Sequence, residues 1–213
     1  MKKGVFITFE GPEGSGKSTH SCRLAEELVS DGYDVVHTAE PGSTGLGGKI
    51  REILLMKDEV ALSPESELFL FEADRAQHVI EVIGPAIKAG RIVLCDRFNT
   101  ATMAYQGYGL GMSRDLISTI DLAATGGMIP DLTVILDIEV ATGLRRASNT
   151  RSADRVEKRS LEFHEKVRTG YLEIASRNRE RIKVVDASGD IEDIYRKVRE
   201  EVYAVIRGYK GTD

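Results

Sequence analysis

A glycine-rich segment near the start of the chain has the residue types and the spacing of a phosphate-binding loop. Residues 11–18 read Gly-Pro-Glu-Gly-Ser-Gly-Lys-Ser and fit the pattern G-x-x-x-x-G-K-[ST] between a predicted strand and a predicted helix. Its glycines allow the backbone to fold around an anion, so that N–H groups and the helix N-terminus point at phosphate oxygens. We therefore expect Lys17 to reach the β- and γ-phosphates of a nucleotide and the Ser18 hydroxyl to coordinate Mg²⁺.

The loop by itself does not specify a reaction, because GTPases, ATPases and small-molecule kinases all use it. A GTPase should also carry the guanine-reading sequence Asn-Lys-x-Asp, which this chain lacks. A D-x-x-G match at residues 186–189 follows the last predicted strand and is interpreted as a turn. A kinase-like transferase and an ATPase remain, and the groups at the other strand ends must separate them.

Polar groups also follow the second, third and fourth predicted strands. Arg51 lies on the short helix after the second strand, and its planar guanidinium suits two phosphate oxygens. Asp96 and Arg97 follow the third strand, where Asp96 is the favoured Mg²⁺ ligand and Arg97 is a candidate for holding an acceptor phosphate. Asp137 ends the fourth strand and is the alternative metal ligand, although it is equally suited to capping the next helix. Each residue also has a purely structural interpretation, as part of a solvated helix face or a charge pair at the sheet edge.

Residues 145–181 carry eleven basic and six acidic side chains in a chain whose net charge is −5. Beyond residue 158 a solvated helix with i,i+4 pairs such as Glu162–Lys166 explains most of these charges. The segment 146–155 differs, because it is small and polar, lies between two predicted helices and repeats Arg at intervals of four or five residues. We interpret residues 146–156 as a lid that brings cations to phosphates and excludes water when it closes.

The composition excludes several classes of protein. The chain has 213 residues, 41% hydrophobic and 30% charged, which is typical of one globular domain and not of a disordered chain. The net charge argues against a protein that mainly binds nucleic acid, and no apolar run is long enough for a membrane span or a signal peptide. Cys22 and Cys95 are too few for a disulfide framework or a zinc site, so we expect a reducing, cytoplasmic location and two small buried side chains.

Short apolar runs alternate with helical patterns along the chain. The apolar runs predict strands at 4–9, 33–39, 91–95, 132–137 and 183–185. The helical patterns predict helices at 17–30, 113–124, 140–148, 157–179 and 190–207. A further long helix is predicted to begin at Ser63-Pro64 and to be kinked or ended by Pro85. Strands that are apolar on both faces belong to a parallel sheet covered on both sides. We expect one α/β domain over 1–213, a doubly wound five-stranded parallel sheet of the P-loop NTPase type with a short lid and with ligands at the carboxyl ends of the strands.

Several of these segments together resemble the thymidylate kinase family, whose members use ATP to phosphorylate dTMP to dTDP. The resemblance rests on the phosphate loop and on Glu-Pro-Gly at 40–42, Asp-Arg-Phe at 96–98, Ala-Tyr-Gln-Gly at 104–107 and Asp-Arg-Val-Glu at 154–157, and it runs from about residue 5 to 205. This combination is far more specific than the phosphate loop alone. It implies a nucleoside-monophosphate-kinase-like domain, Mg²⁺ as cofactor, ATP and dTMP as ligands and a homodimer, although no heptad or apolar patch in the sequence indicates the dimer.

The resemblance also implies roles for residues at matching positions. Phe71, which its helical pattern alone would place in the core, is implied to stack on thymine, and Arg75 to donate to a carbonyl oxygen of the base. The implied dTMP contacts are Glu13, Glu40, Arg51, Phe71, Arg75, Arg97, Thr102, Tyr105 and Gln106. The implied ATP contacts are Gly11, Pro12, Glu13, Gly14, Ser15, Gly16, Lys17, Ser18, Thr19, Arg146 and Arg155, and the implied Mg²⁺ ligands are Ser18 and Asp96.

Glu13 occupies a loop position where some family members carry Arg. The chain therefore resembles the bacterial type, in which the basic residue lies in the lid, here Arg151. Lys17, Arg97 and Arg151 are the implied catalytic residues, and Tyr105 is implied to disfavour a ribose 2′-hydroxyl. His78, on the helix of Phe71, is assigned no role.

Three departures from the family pattern concern the acceptor side. Ser43 replaces the second glycine of Glu-Pro-Gly-Gly-Thr, Gly48 replaces a common Glu, and residues 100–102 read Thr-Ala-Thr where Ser-Ser or Asp-Ser is usual. A side chain at 43 restricts the turn if that turn requires positive φ. We expect the reaction type to survive and the base preference to be the property at risk. The alternatives are another nucleoside monophosphate or deoxynucleoside kinase of this fold and a non-catalytic nucleotide-binding module.

Overall fold

A five-stranded sheet forms the centre of the protein. The computed structural model describes residues 4–55, 61–149 and 154–210. The strands are β1 (Val5–Glu10), β2 (Val35–Ala39), β3 (Ile92–Asp96), β4 (Leu132–Asp137) and β5 (Ile182–Asp186), in the spatial order β2-β3-β1-β4-β5 and paired in parallel. Each predicted strand lies within two residues of an observed one. Because β1 is central and buried throughout, the loop after it leaves the middle of the sheet.

Helices pack on both faces of this sheet. They are α1 (Lys17–Ser30), α2 (Gly45–Leu55), α3 (Pro64–His78), α4 (Gly84–Lys88), α5 (Asn99–Thr102), α6 (Arg114–Thr125), α7 (Val140–Ser148), α8 (Leu161–Arg177) and α9 (Ile191–Lys210). Side chains alternate between the faces of a strand, and β1 shows the result. Ile7 belongs to the apolar cluster that contains Leu28 of α1 and Val202 of α9, whereas Phe6 belongs to the cluster that contains Ile83. The prediction of a parallel sheet covered on both sides is confirmed.

Two π-helical turns shape the side of the sheet on which α3 lies. Ser63 caps α3 by accepting a hydrogen bond from Ser66 N–H, and α3 is followed by a π-helical turn at Val79–Ile83. Pro85, in the first turn of α4, has no N–H to continue the α-helical pattern, which accounts for the interruption predicted there. The second turn, Met103–Gly109, follows α5 and carries the predicted Tyr105 and Gln106.

Two predictions about individual elements were wrong. In α1, Leu24 and Leu28 are buried, but Cys22, which was expected to be buried, is exposed. Cys95, in contrast, is buried as expected. The helix predicted to begin at 157 begins at Leu161, because the Ser160 hydroxyl caps it by accepting from Phe163 N–H. Within the described ranges, no helix is both long and apolar enough to cross a membrane.

Candidate active site

Two neighbouring cavities open at the carboxyl ends of the strands. The phosphate-loop cavity, of about 570 Å³, is lined by residues 13–20 together with Asp96, Arg97, Arg146 and Gly189 among others. The α3 cavity, of about 100 Å³, is lined by Phe71, Arg75, Thr102, Tyr105 and Gln106 among others. Glu13, Glu40, Arg51 and Arg97 line both cavities. These four residues therefore mark the junction at which groups bound in the two cavities would meet.

The backbone of the phosphate loop leaves no room for side chains at two of its glycines. Gly11 has φ 132° and Gly14 has φ 66°, and a Cβ would lie 2.3 Å from Leu136 O at Gly11 and 1.9 Å from Gly143 O at Gly14. Gly16 precedes α1 with φ 90°, and no side chain caps that helix. The first N–H groups of α1 are thus available to an anion, as a phosphate-binding loop requires.

Lys17 is buried inside the loop and is held by the loop itself. Its Nζ donates to Gly11 O at 3.0 Å, to Pro12 O at 2.8 Å and to Ser15 Oγ at 3.3 Å. Burial lowers the pKa of Lys17 to about 8, and the positive charge of Arg97 adds to this effect. The ammonium is therefore positioned by neutral oxygens that a phosphate can replace.

Asp96 and Ser18 line the phosphate-loop cavity and suit a magnesium ion. Asp96 Oδ1 is buried and has no hydrogen-bond partner in the described part of the chain, and the imidazole Nε2 of His37 lies 4.0 Å away from it. Ser18 is exposed in the first turn of α1. No group of three or more His, Cys, Asp or Glu side chains suited to a metal occurs among the described residues. Two oxygen ligands fit Mg²⁺, which takes its remaining ligands from phosphates and water.

Asp137, the alternative metal ligand, is engaged elsewhere. Arg168 donates to both of its carboxylate oxygens, at 2.7 and 2.8 Å. The suggested capping role was wrong as well, because Glu139 caps α7 by accepting from Thr142 N–H.

Arg97 lies at the junction of the cavities. Its Nη2 donates to Glu13 Oε1 at 2.5 Å, and the Tyr105 hydroxyl donates to the same oxygen at 2.8 Å. The guanidinium carbon also lies 5.1 Å from the centre of the Tyr105 ring. Glu13 thus joins the phosphate loop to Arg97 and to one wall of the α3 cavity.

Arg75 is almost completely buried beside the α3 cavity, with a relative exposure of 2%. Its Nε donates to Glu40 Oε2 at 2.9 Å, and its Nη1 donates to Glu72 Oε1 at 2.5 Å and to Thr102 Oγ1 at 3.0 Å. Burial opposes its charge, but Glu40 and Glu72 raise the pKa of Arg75 above its ordinary value. The guanidinium is therefore fixed and ionised before any ligand binds.

Burial also changes the acids around Arg75. It raises the pKa of Glu72 to about 7, with Arg75 acting in the opposite direction. It raises the pKa of Asp74 to about 6, with help from the charge of Glu40. Asp74 Oδ1 accepts from Gly42 N–H at 3.0 Å and so fixes the turn that follows β2.

The sequence comparisons identify the family. The chain matches the family model for thymidylate kinase over residues 9–198. The chain belongs to the thymidylate kinase family. It is 47% identical over 210 residues to the thymidylate kinase of Desulfovibrio desulfuricans, covering 95% of this chain and 97% of the relative. The thymidylate kinase of Pelobacter propionicus is 51% identical over 197 residues, covering 90% of each chain.

A solved structure agrees with this assignment. The crystal structure of thymidylate kinase from Ehrlichia chaffeensis has a TM-score of 0.78 and 35% sequence identity to this chain, and the match covers 94% of this chain and 99% of the other. The P-loop NTPase-type fold expected for a thymidylate kinase is thereby confirmed, and so is the prediction of an enzyme.

Most residues implied by the thymidylate kinase resemblance lie at the two cavities. All nine implied dTMP contacts line the α3 cavity. Glu13 to Thr19 and Arg146 line the phosphate-loop cavity, while the carbonyls of Gly11 and Pro12 hold Lys17. Arg146 Nη1 also donates to Ala187 O at 3.0 Å, which fixes it at the end of α7.

Arg155 does not lie where an ATP contact was expected. Its Nη2 donates to Glu67 Oε2 at 2.7 Å and its Nε donates to Leu54 O at 3.1 Å, and it does not line the phosphate-loop cavity as the described residues define it. The carboxylate of Glu67 holds it on the side of the α3 cavity. Arg151, together with residues 150–153 of the predicted lid, lies outside the described residues.

Glu67 is the main site residue that sequence reasoning missed. It is 1% exposed and accepts three hydrogen bonds, from Gln106 Nε2 at 2.8 Å, Arg155 Nη2 at 2.7 Å and Arg159 Nη2 at 2.6 Å. A signal was available, because Glu67 lies one helical turn before Phe71 on the face of α3 that carries Arg75. His78, which was assigned no role, is buried between Glu40 and Thr38 and bonded to both.

Two departures from the family pattern fit the structure without strain. Gly42 supplies the positive φ of its turn, at 123°, and Ser43 is not among the described residues with positive φ. Ser43 Oγ bonds the backbone of Ala39 instead, accepting from its N–H at 3.0 Å and donating to its carbonyl at 2.6 Å. A Cβ at Gly48 would meet nothing within 4 Å. The condition for a restriction at Ser43, a positive φ at that position, is therefore not met.

Proposed function

We propose that this member of the thymidylate kinase family transfers the γ-phosphoryl group of ATP to dTMP, with ATP in the phosphate-loop cavity and dTMP in the α3 cavity. The observation that carries this proposal is the shared junction of the two cavities, where Arg97 and Arg51 lie. A donor phosphate on the loop and an acceptor phosphate on these arginines would meet there. The chain would work as one domain in the cytoplasm.

The reaction needs positioning and charge neutralisation more than covalent chemistry. An oxygen of the dTMP phosphate attacks the γ-phosphorus, and the bond from that phosphorus to the bridging oxygen of ADP breaks. Lys17 would stabilise charge on the donor phosphates, and Arg97 would hold the acceptor phosphate in line. Ser18 and Asp96 would hold Mg²⁺, which when bound neutralises charge on the β- and γ-phosphate oxygens.

The α3 cavity would recognise the base and the sugar. Phe71, which is half-buried, offers a ring for stacking, and Arg75 offers a fixed guanidinium to a carbonyl oxygen. The Tyr105 hydroxyl is bonded to Glu13, so its ring forms a fixed wall near the sugar.

The lid would supply a further cation to the transferred group. Its expected residue is Arg151, which follows the end of α7. Arg151→Ala should lower turnover at least about a hundredfold, as the loss of a preorganised charge stabiliser does. Steady-state kinetics on the folded variant tests this, and near-normal turnover would exclude the lid role.

We also propose that the enzyme is a homodimer. Helices α3 and α6 pack side by side and expose apolar side chains, with Phe69 56%, Leu116 46% and Leu122 61% exposed. A second copy of the chain would cover this face. Light scattering coupled to size-exclusion chromatography should give the mass of a dimer for the wild type and of a monomer for Phe69→Glu; a monomeric wild type contradicts the dimer.

A substrate panel tests the reaction itself. ADP release with ATP and Mg²⁺ is measured in the presence of dTMP, dUMP, dCMP, dGMP, AMP and thymidine in turn. We expect dTMP to give the highest kcat/KM. A different leading acceptor would move the substrate assignment to another kinase of this fold, and no stimulation by any acceptor would remove the kinase assignment.

A further inference from the structure

Arg97 has a backbone conformation that is rare for residues with a side chain. Its φ is 68°, and no other non-glycine residue in the described ranges has a positive φ. In the left-handed region the Cβ approaches the neighbouring backbone, so a residue other than glycine stays there only where its surroundings hold it. This residue is also the one whose guanidinium lies at the junction of the cavities.

Residues 95–98 form the turn that contains Arg97, and three hydrogen bonds stabilise it. The N–H of Arg97 donates to Phe9 O at 2.9 Å, and the thiol of Cys95 donates to Arg97 O at 3.0 Å. The next N–H, that of Phe98, donates to Glu10 Oε1 at 2.7 Å. A thiol is a weak donor, so the carboxyl of Glu10 is the strongest side-chain contribution to this turn.

Glu10 is itself held at both oxygens. It is the last residue of β1 and is completely buried, and its Oε2 accepts from the hydroxyl of Tyr171 at 3.0 Å. Tyr171 is completely buried on α8. Glu10 is not among the described residues that line either cavity. Glu10 therefore lines neither cavity as described, and both of its carboxylate oxygens accept hydrogen bonds from the protein. Any effect of Glu10 on the reaction must pass through the groups that it binds, Phe98 N–H and the Tyr171 hydroxyl.

We propose that Glu10 is a positioning residue for phosphoryl transfer, which places the Arg97 guanidinium at the junction of the two cavities by fixing the left-handed turn through Phe98 N–H. The role of Arg97 at the phosphates is taken from the proposed function, and the inference rests on it. Glu10 touches neither substrate in this arrangement. Its contribution is geometric, so it depends on the reach of its side chain and on an oxygen facing Phe98.

Three substitutions of Glu10 separate reach from charge. Glu10→Gln keeps the length of the side chain and an oxygen for Phe98 N–H, and its amide can donate to the Tyr171 oxygen. Glu10→Asp keeps the acid but is one methylene shorter. We expect Glu10→Gln to stay within about threefold of wild-type kcat/KM for dTMP, and Glu10→Asp and Glu10→Ala to fall at least about tenfold, as a misplaced reacting group predicts. The reverse order, with Asp active and Gln inactive, would overturn the geometric role.

A double-mutant cycle tests whether Glu10 acts through Arg97. Rates are measured for Glu10→Ala, Arg97→Ala and the double variant, with thermal unfolding as the check on folding. We expect the double variant to be within about twofold of Arg97→Ala, since coupled residues are not additive. If Glu10→Ala costs the same factor in both backgrounds, the effect is a general structural one and the inference fails. Glu10→Asp replaces Glu10→Ala in the cycle if the alanine variant does not fold.

The wild-type substrate panel keeps this inference distinct from the proposed function. If dTMP leads and the cycle is additive, only the role of Glu10 is lost. If another monophosphate leads, the same cycle is run with that acceptor, because Arg97 would hold its phosphate regardless of the base. A wild type without any acceptor activity would overturn both proposals.

Discussion

In the described structure the Lys17 ammonium of the phosphate-loop cavity donates hydrogen bonds only to carbonyl and hydroxyl oxygens. The Arg75 guanidinium of the α3 cavity is instead paired with three carboxylates, those of Glu40, Glu72 and Asp121. Asp96 Oδ1, also in the phosphate-loop cavity, is buried without a hydrogen-bond partner in the described residues. The phosphate-loop cavity therefore contains charged groups that have no oppositely charged hydrogen-bond partner in the described residues and can bind a charged ligand. In the other cavity the charge of Arg75 is balanced by neighbouring carboxylates, which suits an uncharged base.

This difference in charge pairing between the two cavities also predicts different effects of substitutions. An unpaired cation can be deleted with little effect on folding, but deleting one member of a buried pair leaves the other uncompensated. Substitutions in the phosphate-loop cavity should therefore affect chemistry, and substitutions around the α3 cavity should affect dTMP binding and stability together.

The largest effect is expected for Lys17→Ala. Turnover should fall at least about a hundredfold, because a preorganised charge at the transferred phosphoryl group is lost. The KM for dTMP should change little, since Lys17 does not line the α3 cavity as described. Lys49→Ala, an exposed lysine on α2, is the matched control. Steady-state kinetics decides, and turnover within about threefold of wild type would contradict the assignment of the phosphate loop.

Arg75→Met should weaken dTMP use and stability in the same variant. We expect kcat/KM for dTMP to fall at least about tenfold with the loss of a fixed donor, and the unfolding free energy to fall by about 3–5 kcal/mol because Glu40 and Glu72 lose their cation. Kinetics and urea unfolding measure the two effects. A variant that loses activity with unchanged stability would show that the buried acids do not depend on Arg75.

Glu67→Gln should have a smaller and more selective effect. The variant keeps an oxygen but loses the negative charge that binds both Arg155 and Arg159. The segment that carries these arginines also places Asp154 and Val156 on the wall of the α3 cavity, so its position is less strongly fixed. The KM for dTMP should rise about fivefold, which corresponds to about 1 kcal/mol, and the KM for ATP should not change. Glu65→Gln on the exposed face of α3 is the control. Equal changes in both KM values would refute this local role.

The last prediction is a pH dependence of stability rather than a change in kinetics. The folded pKa of Glu72 is raised from 4.5 to about 7 by burial, so the folded state binds a proton that the unfolded state has released between these values. The contribution of Glu72 to stability is present below about pH 4.5 and is lost as pH rises to about 7, at about 1.4 kcal/mol per pKa unit. Urea unfolding from pH 4.5 to 7.5 should show a flatter profile for Glu72→Gln than for wild type. Parallel profiles would rule this contribution out.

Residue spacing alone predicted the phosphate-loop cavity but not the α3 cavity, for a physical reason. The loop from Gly11 to Ser18 is contiguous, and its function depends on backbone conformation that glycine spacing reveals. The α3 cavity is formed by α3, the π-helical turn Met103–Gly109 and segments after β2 and β3. Its residues are distant in the sequence and become neighbours only in the folded chain. Resemblance to the family, not periodicity, pointed to Phe71 and Arg75.

Residues that act through others were the hardest to predict. Glu67 and Glu10 contact other side chains or the backbone and carry no motif of their own, so only the hydrogen-bond partners in the structure reveal them. Likewise, Arg155 matched a family motif, but its position depends on Glu67. The exposure of Cys22 is set by the packing of α1. The apolar pattern of a helix does not show whether a residue at the margin of its apolar face is buried or exposed.

The central claim is that ATP and dTMP bind in separate cavities, which Lys17 and Arg75 serve respectively. Calorimetric titration of a non-hydrolysable ATP analogue and of dTMP into the wild type, Lys17→Ala and Arg75→Met tests it directly. We predict that Lys17→Ala weakens the ATP analogue alone and that Arg75→Met weakens dTMP alone, each at least about tenfold. Loss of dTMP affinity in Lys17→Ala with retention in Arg75→Met would contradict the account.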